Sequence, residues 1–233
     1  MKGEFPSVSD RQLIGAEMVR AAMARRLTER EIAHAPKIFG VDVAGTGGDS
    51  SAIWMRQGLF ARRLFKKNEP DTMRLADIVA DYIQKENPAA VFVDMGAMGS
   101  PIVDKLRGLG FGGVVHGVYF GNAALRDDIY ANRRAEMWHS VAGWLKDGGA
   151  LPDKSAESQD IEDDLTSPEY FYNHRGRMQL ESKDDMKARG LPSPDDGDAL
   201  ALTFAEPVRK QQNVNNGYKD EKYDPFHKLK SHR

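Results

Sequence analysis

The 233-residue chain contains no cysteine, which removes disulfides, thiolate metal sites and cysteine nucleophiles together and fits a reducing compartment. It has no uninterrupted apolar stretch of the roughly 18 residues that a membrane-spanning helix needs. The amino terminus lacks the charged-then-apolar layout of a secretory signal. Charge of one sign is not in excess either. Lysine and arginine number 33 against 35 aspartates and glutamates, a formal net charge of −2. No global basic field therefore draws the chain onto nucleic acid, and any such binding must come from a local patch or a partner. The glycine-rich turn Gly45-Thr46-Gly47-Gly48 lacks the lysine of a phosphate-binding loop. The length suits one domain with a substantial core.

The most informative stretch is Lys37 to Trp54. It runs apolar to Asp42, breaks at the glycine-rich turn and resumes at Ala52-Ile53-Trp54, which predicts two strands joined by a flexible turn. With the period-2 geometry of a strand, Asp42 shares a face with Gly40 and Ala44, while Phe39, Val41 and Val43 point the other way. The two small neighbours leave space beside the carboxylate. A charge on a buried strand is costly unless something cationic compensates it. Asp42 is therefore either a turn-capping residue or a metal ligand.

Upstream, residues 1–34 read as a lead-in with apolar residues at helical spacing from Leu13 to Met23, then Thr28 and Glu31 as a capping box. Downstream, Leu59 to Phe65 reads as a third strand whose Arg62 and Arg63, with Lys66 and Lys67, suit a solvated basic edge in preference to a contact with a phosphate backbone. Asp71 is placed to cap a helix that ends at Asn87-Pro88. Ala89 to Asp94 is the next strand, again apolar up to a terminal aspartate. A second flexible turn, Met95 to Gly99, and a helix over Pro101 to Leu109 follow. Strand, crossover helix and strand imply a parallel pair with Asp42 and Asp94 at one end of the sheet, where sites form in sheets of this type. Val114 to Val118 reads as a fifth strand with His116 as a core histidine. Asn132 to Lys146 is a strong helix whose tryptophans belong to the core, and Ser155 to Leu165 is a shorter helix with a wet acidic face. Tyr170 to Tyr172 and Met178 to Leu180 flank Asn173-His174-Arg175-Gly176 as a hairpin with a basic tip.

A third acidic cluster follows in Ser193-Pro194-Asp195-Asp196-Gly197-Asp198. Ser193 suits an N-cap and Pro194 a first helical position. Aspartates in the first turn also complement the helix dipole, by roughly 0.3–1 kcal/mol. A structural role alone would thus account for them. At about 100° per residue, Asp195 and Asp198 share a side and Asp196 points away. The polar stretch from 209 to 233 reads as a disordered tail. Oxygen-only donors at two strand ends and a helix start suit Mg²⁺ or Mn²⁺ rather than zinc. Two such ions can activate water and stabilise the leaving oxygen of a phosphodiester.

These stretches, taken with Gly-Glu-Phe-Pro-Ser at 3–7, Asn132 to Trp138, and Glu181 to Gly190, resemble the nuclease domain of the large terminase subunit of tailed bacteriophages. The resemblance runs from residue 3 to about 207 and is carried by the order and spacing of the motifs jointly. It implies an α/β ribonuclease-H-like fold: a mixed five-stranded sheet, three antiparallel strands and two parallel, flanked by helices and carrying an auxiliary β-hairpin. It implies an interdomain lead-in over 1–34, a nuclease domain over 35–208 and the tail over 209–233. The three metal-binding acids fall on Asp42, Asp94 and Asp195, holding two Mg²⁺ or Mn²⁺ ions, with Asp198 and Asp49 as weaker candidates. The implied activity is endonucleolytic cutting of concatemeric double-stranded viral DNA with little sequence preference. Such subunits carry an ATPase ahead of the nuclease, so the chain resembles the carboxyl-terminal half. The implied partners are double-stranded DNA, that ATPase domain, the small terminase subunit and the portal, in the host-cell cytoplasm and without a membrane. Arg175, Arg177, Lys183, Lys187 and Arg189 cluster ahead of the acidic helix and are candidate contacts to DNA phosphates.

Three other readings stay open on sequence. The glycine-rich turns after Asp42 and Asp94 resemble the phosphate loops of actin-like kinases, which need two such domains and have no use for the acidic cluster at 195–198. A Holliday-junction resolvase-like nuclease would share the fold. A non-catalytic DNA-docking module would use the aspartates only as caps and turn residues.

Overall fold

The computed structural model describes residues 11–45, 49–96, 98–152 and 158–209. The motif at 3–7, the centre of the first glycine-rich turn at 46–48, Ala97 in the second, and the tail from 210 lie outside the described residues.

Three strands open the sheet: β1 (Lys37–Asp42), β2 (Ser51–Gln57) and β3 (Phe60–Lys67), a meander of antiparallel neighbours. Helix α3 (Thr72–Glu86) crosses to β4 (Ala90–Asp94), which lies parallel to β1, and α4 (Gly99–Leu106) crosses to β5 (Val115–Val118), parallel to β4. The order across the sheet is β3-β2-β1-β4-β5, the mixed arrangement expected. Val41 stands opposite Val93, so β1 and β4 both end on their aspartates at the same edge. Helix α3 starts where expected, with the Asp71 carboxylate accepting the N–H groups of Met73 and Arg74, and it ends at a left-handed Asn87 (φ 48°) before Pro88. Helix α4 is shorter than the apolar pattern suggested: after Leu106 the chain widens into a π-turn over Arg107–Phe111 broken by Gly110 at φ 94°.

The alternation of β1 sorts the core into two layers. Phe39 and Val41 pack with Ile53, Val91 and Val93 against α3 and α4. The opposite face, with Ile38, Trp54 and Phe92, is covered by α1 (Ala16–Ala24), α5 (Arg133–Lys146), α6 (Ser158–Thr166) and α8 (Asp195–Leu202). Between α1 and β1 lies the short α2 (Glu29–Ile32), where Glu31 accepts hydrogen bonds from the Thr28 N–H and hydroxyl. The hairpin β6 (Tyr170–Tyr172) and β7 (Met178–Leu180) forms a separate two-stranded sheet, followed by α7 (Lys183–Ala188).

Gly40 explains how closely the site can be built. A Cβ at this position would run into the carbonyl oxygen of Ala199 and the Leu202 side chain, so only glycine lets α8 lie directly on β1. That contact sets the start of α8 beside the end of β1.

Two expectations change here. His116 is exposed rather than in the core, its ring 5.5 Å from that of Phe92, because β5 is an edge strand. The N-cap of α8 is Pro194, and the buried Ser193 hydroxyl has no hydrogen-bond partner; the helix begins one residue later than Ser193 would dictate as its cap.

Candidate metal centre

Asp42, Asp94 and Asp195 converge where β1 and β4 end and α8 begins. All three are buried, Asp42 completely, Asp94 at 8 % and Asp195 at 5 % exposure. Backbone N–H groups fix two of them: Ser50 donates to Asp195 Oδ2 at 2.9 Å and Gly96 to Asp94 Oδ1 at 3.1 Å. Asp42 Oδ1 and Asp195 Oδ1 are buried without any hydrogen-bond partner. Such atoms are rare in folded proteins and call for a reason. Burial raises the pKa of all three: Asp94 and Asp195 are pushed up to about 6 each. The Asp42 carboxyl is held well above the usual range, first by burial and then by the charges of Asp198, Asp94 and Asp195 nearby.

One cation already stands among these acids. Lys183 of α7 places Nζ 3.0 Å from Asp198 Oδ2 and 3.4 Å from Asp42 Oδ2. Burial alone would lower its pKa, but the carboxylates of Asp42 and Asp198 outweigh that and hold it above its ordinary value. Among the described residues, no group of three or more histidine, aspartate or glutamate side chains stands at metal-holding geometry, and the ammonium supplies the compensating charge. In kind, the donor set fits a hard divalent cation: carboxylate oxygens only, two of them unpartnered.

The three aspartates of α8 divide sharply. Asp196 turns away, receiving Trp54 Nε1 at 2.7 Å, Arg63 at 2.8 Å and Lys66 at 2.9 Å. Asp198 receives Trp138 Nε1 at 2.8 Å, Arg134 Nε at 2.8 Å and Lys183 at 3.0 Å. Burial alone would raise the Asp198 pKa, but Arg134 and Lys183 hold it below the ordinary value. Each of these two carboxylates is saturated by one indole, one guanidinium and one ammonium, so both act as anchors for α8. Asp195, which precedes them at the start of the helix, keeps an open oxygen. Asp49 lies near enough to Asp195 to raise its pKa and pairs with Lys187 at 2.9 Å.

No family model matches the sequence, and no curated protein matches it. Solved structures do. The nuclease domain of the large terminase subunit gp2 of bacterial virus Sf6 superposes with a TM-score of 0.73 at 17% identity, over 84% of this chain and 99% of that one. The large terminase nuclease of thermophilic phage G20c, solved with bound magnesium, superposes with a TM-score of 0.56 at 15% identity, over 85% and 98%. The fold is that of a phage terminase nuclease domain. The Sf6 domain has also been solved with manganese and β-thujaplicinol.

On this terminase-type fold the basic candidates do not form one patch. Arg175 is exposed at the hairpin tip and Arg177 half-buried beside it, their N–H groups donating to Asn173 Oδ1. Lys183 points into the acids. Lys187 is paired with Asp49, and Arg189 grips Glu181 through two bonds of 2.7 and 2.6 Å. The expected solvated edge of β3 is also partly overturned. The Arg63 side chain is 8% exposed and, with Lys66, neutralises Asp196. On α6 the expected wet face is seen at Asp160 and Asp163, but Glu162 is largely covered and paired with Arg20 at 2.7 Å, and Asp164 is buried and pushed up to about 7 by burial, partly offset by Lys66.

Sequence reasoning missed Arg134, Lys183 as an inward cation, Asp164 and the indole donors. One signal was available. A buried tryptophan N–H usually finds an acceptor, and two of this chain's three buried indoles, Trp54 and Trp138, find theirs in buried aspartates.

Proposed function

We propose that the chain is the nuclease domain of a phage DNA-packaging motor. It cleaves double-stranded concatemeric DNA with little sequence preference, using Mg²⁺ or Mn²⁺ held by Asp42, Asp94 and Asp195. The single observation that carries this reading is the pair of buried, unpartnered oxygens on Asp42 and Asp195 at the carboxyl end of parallel strands. The shared fold supports it, as does manganese or magnesium in solved domains of that fold. When bound, a pair of divalent ions would supply water activation and charge stabilisation at the leaving oxygen.

The protein's own groups do the remaining work. Ser50 and Gly96 N–H groups orient Asp195 and Asp94 so that neither carboxylate must be fixed at the moment of reaction. Burial keeps bulk water from the acids and strengthens their field. Asp198 holds Lys183 beside Asp42, so that the carboxylates are never an uncompensated cluster before substrate arrives. Arg175 and Arg177 extend positive charge along the hairpin toward a phosphate backbone. The proposed setting is a larger packaging assembly with an ATPase domain, small terminase subunit and portal in the host cytoplasm. Among the described residues, no helix is long and apolar enough to cross a membrane.

The test is cleavage of supercoiled plasmid. Wild type should nick and linearise it in Mn²⁺ and not in EDTA, and folded Asp42→Asn should do neither. ATP turnover without DNA cleavage would indicate the kinase-like reading, and DNA binding without cleavage a docking module.

A further inference from the structure

Helix α8 begins without a cap of its own. Its N-cap position is Pro194, whose side chain accepts no hydrogen bond, and the nearby Ser193 hydroxyl is unpartnered. The first N–H groups of a helix need acceptors from outside it. Here the acceptor comes from another helix: Asp164 Oδ2 of α6 receives the N–H of Asp196 at 2.8 Å. Asp196 is the second residue of α8, one of the two positions that a capping side chain serves. Lys66 Nζ on β3 bridges the two acids, 3.0 Å from Asp164 Oδ2 and 2.9 Å from Asp196 Oδ2. The second half of the helix is held differently, by burial of Ala199 to Leu202 in the core. The first turn, which carries Asp195, is held by the borrowed cap together with the Trp54 and Arg63 bonds to the Asp196 carboxylate.

Resting on the reading that Asp195 is a metal-binding acid, we infer that Asp164 and Lys66 are positioning residues for Asp195. They fix the first turn of α8 so that Asp195 faces Asp42 and Asp94, and they touch neither metal nor DNA. The Asp164 carboxylate supplies the acceptor, and the Lys66 ammonium keeps two buried carboxylates close without mutual repulsion.

Two measurements on the full chain test this. Amide hydrogen exchange without metal should show the first turn of α8 opening about tenfold or more faster in Asp164→Ala, with Leu200 to Leu202 unchanged. In Asp164→Asn, whose amide oxygen can still accept, the protection should return. Calorimetric Mn²⁺ titration should show affinity weakened by about 10–100-fold in Asp164→Ala, the usual loss when a partner behind a ligand is removed, and largely kept in Asp164→Asn. Unchanged exchange in Asp164→Ala, or faster exchange with unchanged Mn²⁺ affinity, overturns the inference. A wild type that binds no Mn²⁺ instead overturns the proposed function, while the exchange data still decide whether the cap exists. If Asp164→Ala does not fold, Asp164→Asn is compared with Lys66→Met. Only the second should lose first-turn protection and metal affinity, and equal behaviour overturns the inference.

Discussion

Replacing Asp94 by asparagine should stabilise the metal-free protein at neutral pH and do little in acid. Burial raises the Asp94 pKa from the ordinary 3.8 to about 6, against the opposing pull of the Gly96 N–H and Lys183. Two pKa units correspond to about 3 kcal/mol of ionisation cost in the folded state. Between about pH 4 and 6 the folded protein keeps a proton that the unfolded chain has lost. Stability therefore falls as pH rises through that window and is level above it. Asparagine is never ionised, and its amide oxygen can still accept from Gly96. Its new NH₂, left without a partner, costs about 1–2 kcal/mol, within the usual range for an unpaired buried donor, so the net gain at pH 7.5 is about 1–2 kcal/mol. For a chain of this size that is a rise of roughly 2–8 °C in melting temperature. The assay is thermal unfolding in EDTA at pH 4.5 and 7.5. Wild type should melt close to the variant in acid and below it at neutral pH. Excess Mn²⁺ should then reverse the order, since it stabilises the folded state only where the acids can hold it. A variant that melts lower at pH 7.5, or differs equally at both pH values, refutes the reasoning.

Other substitutions follow from the same geometry. Asp196→Ala should cost about 3–5 kcal/mol in urea unfolding, because Arg63 and Lys66 lose a buried counter-ion; a change under about 1 kcal/mol would mean that both cations reach water. Gly40→Ala should cost about 3 kcal/mol or prevent folding, since its Cβ meets the Ala199 carbonyl and must push α8 off β1. Replacing Arg175 and Arg177 together should weaken DNA binding for all sequences and flatten the slope of log affinity against log salt by about 2, and an unchanged slope would remove the hairpin from the DNA path.

The strand ends were legible because an aspartate that terminates an apolar run breaks a strong pattern, as at Asp42 and Asp94. Helix rotation alone separated Asp195 from Asp196. It could not separate Asp195 from Asp198, because that distinction rests on Arg134, Trp138 and Lys183, which arrive from α5 and α7. Side chains distant in sequence saturate one carboxylate and leave its neighbour open, and no local pattern encodes that. The same cause hid Asp164, which reads as one of several acids on a wet helix and is the one turned inward. Charge clustering in sequence did not translate into one basic patch. Lys183, Lys187 and Arg189 are close in sequence, yet each is matched to a different carboxylate. His116 was misread because β5 is an edge strand that leaves its two middle residues, His116 and Gly117, exposed, where the inner strands β1 and β4 are buried almost end to end.

The most direct test of the central claim is an anomalous difference map from crystals of the chain soaked in Mn²⁺ at neutral pH. The account predicts peaks bounded by Asp42, Asp94 and Asp195, with Asp196 still held by Trp54, Arg63 and Lys66. Peaks elsewhere, or none beside those three carboxylates while Lys183 stays against Asp42, would contradict it.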